Sequence, residues 1–489
     1  MLVLFLYSLT FLNIVCSGNN MKSSQTKISN SENFKNNDKI RLRDLDDSDS
    51  IRIFIDMTYL EKEITNSELL EIYKYSLDKA KITLQKLIKV KSRTSDIDIS
   101  QIDFSKFRGF LRPLFDSDLL NGNKKIPADL AIFVRQSDGI ELKKCGEEPA
   151  IVEMNNKRPI VGYIIIDQSL YSDTEDIEGN VYRKELYSYY FLHQLTHILG
   201  FNREIINNIG EISILNKVVN RIEPSVEKFN INKELIYGNK IMEKAQSYFN
   251  CYDSEILNGI EIEENQENDC RDYIHWESRI LLGDYMTSLI YVQEQVISDI
   301  TLAFLEDTNF YEVNYFTGGL MKFGKKKGCT FFTNDCNALL PVEERTNNTV
   351  RSPTFINEFC ASSTKTTCTP ARQSRGICDN TEPQGRVGEK YMRTGWGEMY
   401  GNKNAEYCPI SLSEKEFDNQ KYSYFGNCKI GTKENFGKYA FKHYKYVDNY
   451  DYSFFSDTYG EVFGNNSFCA FSSVIHKDDL KNEQKKKTD

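Results

Sequence analysis

The stretch Phe191-Leu192-His193-Gln194-Leu195-Thr196-His197-Ile198-Leu199-Gly200-Phe201 decides the fold. Helical spacing from Arg183 to Leu199 predicts a helix that stops at Gly200, a residue favoured just past helix ends. On such a helix His193 and His197 lie one turn apart, so both rings project from one face. Imidazoles on adjacent turns can both reach one zinc ion at about 2.0–2.1 Å. Two ligands do not complete a site, and a third has to arrive from elsewhere. Taken alone, the H-x-x-x-H pair is more often two packed or surface histidines than a metal site.

The chain has only five histidines in 489 residues, so their placement carries information. His275 lies far beyond the helix, in Tyr273-Ile274-His275-Trp276-Glu277. Met286 follows it in Gly283-Asp284-Tyr285-Met286-Thr287. A methionine turn soon after a third ligand would give the metal an apolar floor, the arrangement of the metzincins. The compact metzincin spacing would place that ligand at position 203, which is Arg203 here.

A long insertion before the third histidine is a feature of the leishmanolysin family of zinc metalloendopeptidases, and the sequence resembles that family. The matching segments include Arg158-Pro159-Ile160-Val161-Gly162, Tyr248-Phe249-Asn250-Cys251 and His275-Trp276-Glu277 with Met286. Further on come Leu302-Ala303-Phe304-Leu305-Glu306-Asp307, Gly328-Cys329-Thr330-Phe331, Cys368-Thr369-Pro370-Ala371-Arg372 and Tyr407-Cys408-Pro409. The resemblance implies an α+β fold with a zincin-like catalytic part, an inserted central region and a cysteine-rich, loop-rich C-terminal domain. A mixed sheet, with an edge strand for an extended peptide, would sit over the zinc helix. It further implies one zinc ion held by His193, His197 and His275, with Met286 as the turn methionine and Gly200 structural beside the site. His443 and His476 match no motif.

Two departures from the family pattern stand out. The position of the catalytic glutamate holds Gln194. Peptide hydrolysis needs a base to take a proton from water and return it to the leaving amine, and an amide has no titratable group near neutral pH. Glu277 is close in sequence to a ligand but is not cast as a substitute base. The family also guards its zinc with a propeptide cysteine, whereas residues 17–144 contain neither Cys nor His.

Composition bounds the rest. Hydrophobic residues make up 40% and charged residues 27%, enough to bury a core. A net charge of −10 argues against a nucleic-acid binder relying on phosphate contacts. Residues 1–17 read as a signal peptide, since Leu2 to Val15 is apolar but too short to span a bilayer. Residues 18–48 read as a disordered or propeptide-like segment, 49–200 as the N-terminal subdomain with the zinc helix, 201–330 as the central region and 331–489 as the C-terminal domain. A strand is expected at Ile51–Ile55, a helix over Ser67–Lys91, a strand over Ile160–Ile166 and a helix over Gln293–Leu305. Between Phe201 and Asn250 the pattern mixes helical periods with Pro224.

Eight of the twelve cysteines fall between Cys329 and Cys469, the texture of a disulfide-stapled region in an oxidising compartment. Loss of Cys16 with the signal leaves an odd number, with Cys145 and Cys270 as candidates for the unpaired one. Asn347 and Asn465 are glycosylation acceptors of a secreted surface. The Lys325-Lys326-Lys327 cluster reads as a solvated loop. The leading expectation is a secreted or cell-surface homologue that binds zinc and extended peptides but hydrolyses them slowly or not at all. The alternatives are an active zinc metalloendopeptidase and a surface adhesion protein acting through its C-terminal domain.

Overall fold

Apolar residues from Ile51 onward open the central sheet, as the alternation there predicts. The structure, a computed structural model, describes residues 13–17, 50–93, 95–103, 106, 125–136, 147–166, 180–221, 229–263, 274–288, 295–315, 321–333, 358–359, 366–370, 372, 375–379, 402–406, 408–413 and 468–472. Pro224, Cys145, Cys270, both glycosylation acceptors, His443 and His476 lie outside them.

In chain order the N-terminal strands are β1 (Asn13–Ser17), β2 (Ile53–Asp56), β3 (Ile88–Val90), β4 (Ile97–Asp98), β5 (Lys125–Ile126), β6 (Leu130–Gln136), β7 (Glu147–Asn155) and β8 (Arg158–Ile166). The main sheet has the order β2-β6-β8-β7. Its first three strands are parallel, with Ile53 opposite Leu130 and Ala131 opposite Val161. β7 runs antiparallel on the edge, with a bulge between Ile151 and Glu153. Asn156 and Lys157 turn the β7–β8 hairpin at φ 49° and 68°, the left-handed geometry that two-residue hairpins need.

Both faces of this sheet are covered. Leu130, Ile132, Val134, Ile164 and Ile166 belong to the larger core, while Ala131, Phe133, Val161, Tyr163 and Ile165 pack with Ile97, Ile99, Ile102 and Ile126. Burial on two sides explains why these strands read as apolar runs instead of alternating. The short helix α1 (Thr58–Glu63) precedes α2 (Ser67–Leu87), whose N-terminus is capped by Asn66 accepting from the amides of Glu68 and Leu69. The buried face of α2 packs on α3 (Asn180–Leu199), with Tyr73 5.4 Å from the Tyr187 ring and 6.0 Å from Phe191. α3 in turn lies against β7 and β8.

The helix expected through Lys91 stops at Leu87. Ile88–Val90 instead form β3 and pair with β12 (Tyr311–Val313), a choice that suits β-branched residues offered a strand partner. The mixed pattern after Phe201 resolves into α4 (Arg203–Asn208), the hairpin β9 (Ser213–Arg221) and β10 (Phe229–Tyr237), α5 (Asn239–Phe249) and β11 (Ile260–Glu261). α6 (Ser278–Leu281) and α7 (Asp299–Asp307) follow. The helix expected from Gln293 begins only at Asp299, because the Ser298 hydroxyl accepts from the Thr301 amide and Val296 bridges to Asp284.

α8 (Thr330–Thr333) is joined to the end of α5 by the Cys251–Cys329 disulfide, so one cysteine of the dense cluster ties back to the central region. Phe331 stacks on Phe249 at 5.7 Å. Lys325 and Lys326 are exposed, while Lys327 is 3.5 Å from the buried Glu358. Farther on, β13 (Thr366–Cys368), β14 (Arg375–Asp379) and β15 (Ile410–Ser413) form an antiparallel sheet, and both Cys368 and Cys408 are disulfide-bonded. β16 (Phe468–Ser472) pairs with β1, within the segment assigned to the signal. Among the described residues, no helix is long and apolar enough to cross a membrane.

Candidate metal centre

α3 carries His193 and His197 on adjacent turns, both buried, with ring centroids 4.5 Å apart. The third histidine comes from an extended segment. The His275 carbonyl accepts from the Glu263 amide, Trp276 N–H donates to the Met286 carbonyl and Glu277 N–H to the Glu261 carbonyl, each at 2.9 Å. His275 is thereby fixed between the strand that continues β11 and the turn at Asp284–Thr287.

The three Nε2 atoms converge: His193 to His197 is 2.9 Å, His193 to His275 3.1 Å and His197 to His275 3.3 Å. Tetrahedral zinc with bonds of about 2.0–2.1 Å sets neighbouring ligand atoms roughly 3.3–3.4 Å apart, so the cluster has nearly the size of a zinc site. The tautomers agree with that fit. Nδ1–H of His193 donates to the Tyr285 carbonyl at 2.6 Å, and Nδ1–H of His197 donates to the Phe201 carbonyl at 2.8 Å. Both rings then turn an Nε2 lone pair toward the same point, where lone pairs repel unless a cation accepts them. Burial lowers the pKa of His193 to about 4, against the pull of the Tyr285 carbonyl. Burial, then the neighbouring His193 and His197, push His275 well below the usual range. Neutral imidazole is the form that binds metal. Together the three histidines can hold one metal ion, and among the described residues no Asp, Glu or Cys joins their group.

The chain around the rings is shaped for this. Gly200 has φ +137°, a conformation that side chains rarely adopt, and the turn brings the Phe201 carbonyl onto His197. Met286 is fully buried, and its amide donates to Asp284 Oδ1 at 2.7 Å. Asp284 Oδ2 accepts from the Thr301 hydroxyl at 2.8 Å and from the Ser298 amide at 3.3 Å. Trp276 Nε1–H donates to Thr301 Oγ1 at 2.8 Å, which joins the His275 segment to α7. Arg203, where a compact spacing would need a histidine, instead forms a two-pronged pair with Glu234 at 3.0 and 2.7 Å.

Gln194 is fully buried, and neither its Oε1 nor its Nε2 has a hydrogen-bond partner among the described residues. A buried amide left so costs roughly 1–3 kcal/mol. Glu277 is engaged elsewhere: Oε1 caps α6 through the Arg279 amide at 3.2 Å, and Oε2 is 2.9 Å from Lys233 Nζ. Lys233 also meets Glu406 at 2.8 Å, and Glu406 lies 3.7 Å from Arg279 Nε. Burial opposes the charge of Lys233, yet Glu277, Glu406 and Glu261 together hold its pKa well above the ordinary range.

Sequence reading missed this cluster and the Asp284–Thr301 network. Asp284 stood inside the quoted methionine segment and could have been suspected. Lys233 and Glu406 carried no local signal, because only folding brings them together.

A family model described as leishmanolysin matches residues 149–488. The leishmanolysin-like peptidase of Drosophila pseudoobscura pseudoobscura is 27% identical over 267 residues, which cover 52% of this chain and 36% of that protein. The leishmanolysin-like peptidase of Caenorhabditis briggsae is 29% identical over 212 residues, 39% of this chain and 31% of that protein. The ciliated left-right organizer metallopeptidase of Danio rerio is 23% identical over 197 residues, 39% of this chain and 30% of that protein. The chain thus spans about a third of the length of these curated relatives. With a family match over more than half of its length and three buried imidazoles converging on one point, the chain belongs to the leishmanolysin family, whose metallopeptidases depend on zinc.

Proposed function

We propose that this protein is a zinc- and peptide-binding leishmanolysin homologue whose hydrolytic chemistry is crippled. His193, His197 and His275 are the zinc ligands, and Gln194 stands where the general base stands in the family. The observation that carries this reading is the Gln194 amide, buried and with no hydrogen-bond partner among the described residues, on the helical turn between the two histidines of α3. Zinc, when bound, polarises a carbonyl and lowers the pKa of bound water to about 7. Gln194 can hold such a water by hydrogen bonds. It cannot take the proton or hand it to a leaving amine.

The bulged edge strand β7, beside α3, is where an extended peptide would add to the sheet. The Cys251–Cys329 disulfide and the apolar N-terminal run support passage through the secretory pathway to the cell surface or exterior. The test is to measure bound zinc, then compare peptidase activity of the natural protein with Gln194→Glu. The expected gain is roughly 10²–10⁴ in kcat/KM for the variant. Natural activity comparable to that of the variant would sink the reading and return the protein to the active endopeptidases.

A further inference from the structure

We infer that Glu406, from the cysteine-rich C-terminal region, is a positioning residue for the metal centre, acting on His275 through a buried ionic cluster. The inference rests on the zinc reading above and extends it to a part of the chain that carries no ligand.

Glu406 ends the short 3-10 turn Lys403–Ala405, whose start is capped by the Asn402 side chain accepting from the Asn404 amide at 2.9 Å. The same loop is closed by the Asn402 amide donating to the carbonyl of the disulfide-bonded Cys408 at 3.1 Å, while the Cys408 amide donates to the Ala405 carbonyl at 2.8 Å. Glu406 sits at φ 50°, the left-handed region that residues other than glycine rarely occupy. That conformation accompanies a carboxylate only 2% exposed. Its oxygens lie 2.8 Å from Lys233 Nζ and 3.7 Å from Arg279 Nε.

Both cations lead to His275. Lys233 Nζ holds Glu277 Oε2 at 2.9 Å, and Glu277 lies two residues after the ligand and caps α6. Arg279 is within α6 and reaches the Phe331 carbonyl at 3.2 Å. Two carboxylates and two cations thus meet in one buried cluster drawn from three separate stretches of chain. Removal of Glu406 leaves a buried cation undercompensated and loosens the foundation of the third ligand, while His193 and His197 stay fixed by α3. Partners that orient ligands from outside the coordination sphere typically govern metal affinity by 10–100-fold.

The test is zinc titration of the full-length chain against a competing chelator, for the natural protein, Glu406→Gln, Glu406→Asp and Glu358→Gln. Glu358 is a matched control. It is also buried, and pairs with Lys327 at 3.5 Å and Arg372 at 3.6 Å. Zinc affinity is expected to fall about 10–100-fold in Glu406→Gln, less in Glu406→Asp, and to stay within about threefold in Glu358→Gln. An unchanged affinity in Glu406→Gln, or an equal loss in Glu358→Gln, would overturn the inference.

Amide exchange of the natural protein keeps it testable if the variants do not fold. By reciprocity, zinc should slow exchange over residues 402–408 as well as at the histidines. Protection at the histidines with none at 402–408 would overturn this inference alone. A natural protein that takes up no zinc would overturn the zinc reading and this inference together.

Discussion

The helix α3 and the segment from Ile274 to Thr287 supply the same histidine cluster by opposite means. α3 sets two imidazoles one turn apart through its own backbone, and no distant contact is needed to define that spacing. The later segment has little regular structure and takes its place from outside: from β11, from the turn at Met286, from α7 through Thr301 and from the C-terminal region through Glu406. A site divided in this way has one preformed half and one half assembled with the tertiary fold. Metal affinity should therefore be far more sensitive to packing around His275 than around His193.

The largest effect that tests this contrast is truncation of Trp276. Its side chain is fully buried, 4.9 Å from the Phe201 ring, and bonded to Thr301. Trp276→Ala should cost about 3–5 kcal/mol in urea unfolding, and Leu195→Ala on α3 about 2–5 kcal/mol. The comparison holds if zinc affinity drops markedly more for Trp276→Ala than for Leu195→Ala. Equal losses of zinc would break it.

A smaller effect sits in the turn below the histidines. Burial pushes the Asp284 carboxyl up to about 6, against hydrogen bonds from Ser298, Met286 and Thr301 that favour its charge. An acid whose folded pKa lies above its unfolded value binds its proton more tightly when folded. Its contribution to stability is therefore present below about pH 4 and is lost as pH rises through about 6. Asp284 alone should remove on the order of 3 kcal/mol from the metal-free protein across that window. The buried histidines act in the opposite direction, so the informative quantity is the difference between the natural profile and that of Asp284→Asn. Parallel urea-stability profiles from pH 4 to 7 would show that Asp284 does not tune this half of the site.

The smallest effect concerns Arg203. Its pair with Glu234 is partly exposed, with side chains 24% and 31% accessible, so Arg203→Ala should cost no more than about 1 kcal/mol and leave zinc affinity unchanged. The sharper version places Arg203→His in a His275→Ala background. Because the side chain at 203 is directed toward Glu234, that histidine should not rescue zinc uptake, measured by the same competition. Rescue would mean that the compact arrangement is still accessible to this fold.

Much of this is legible in the sequence. The period-3.6 patterns locate α2 and α3, the apolar run over 160–166 locates β8, and Gly200 marks the end of the helix that carries His193 and His197. Errors arose where two local choices were close in energy. Ile88–Val90 continued a helical pattern, but a strand partner at Tyr311–Val313 drew them out of the helix. Apolar spacing alone starts α7 too early, because it does not show where Ser298 caps. The hairpin between Ser213 and Tyr237 was obscured in the same way, since its strands carry many polar residues and form by pairing with each other.

By itself, the sequence determined the local half of this protein: a helix with two histidines one turn apart, a glutamine between them and a glycine to end it. Those properties depend on backbone geometry over a few residues, which side-chain order encodes directly. Only the tertiary structure decided which distant groups complete the arrangement. It brought His275 to within 3.3 Å of both helix histidines, directed Arg203 to Glu234 and carried Glu406 into a buried cluster with Lys233. Such contacts depend on how much apolar surface and how many opposed charges can be buried at once, a condition that the whole chain has to satisfy together.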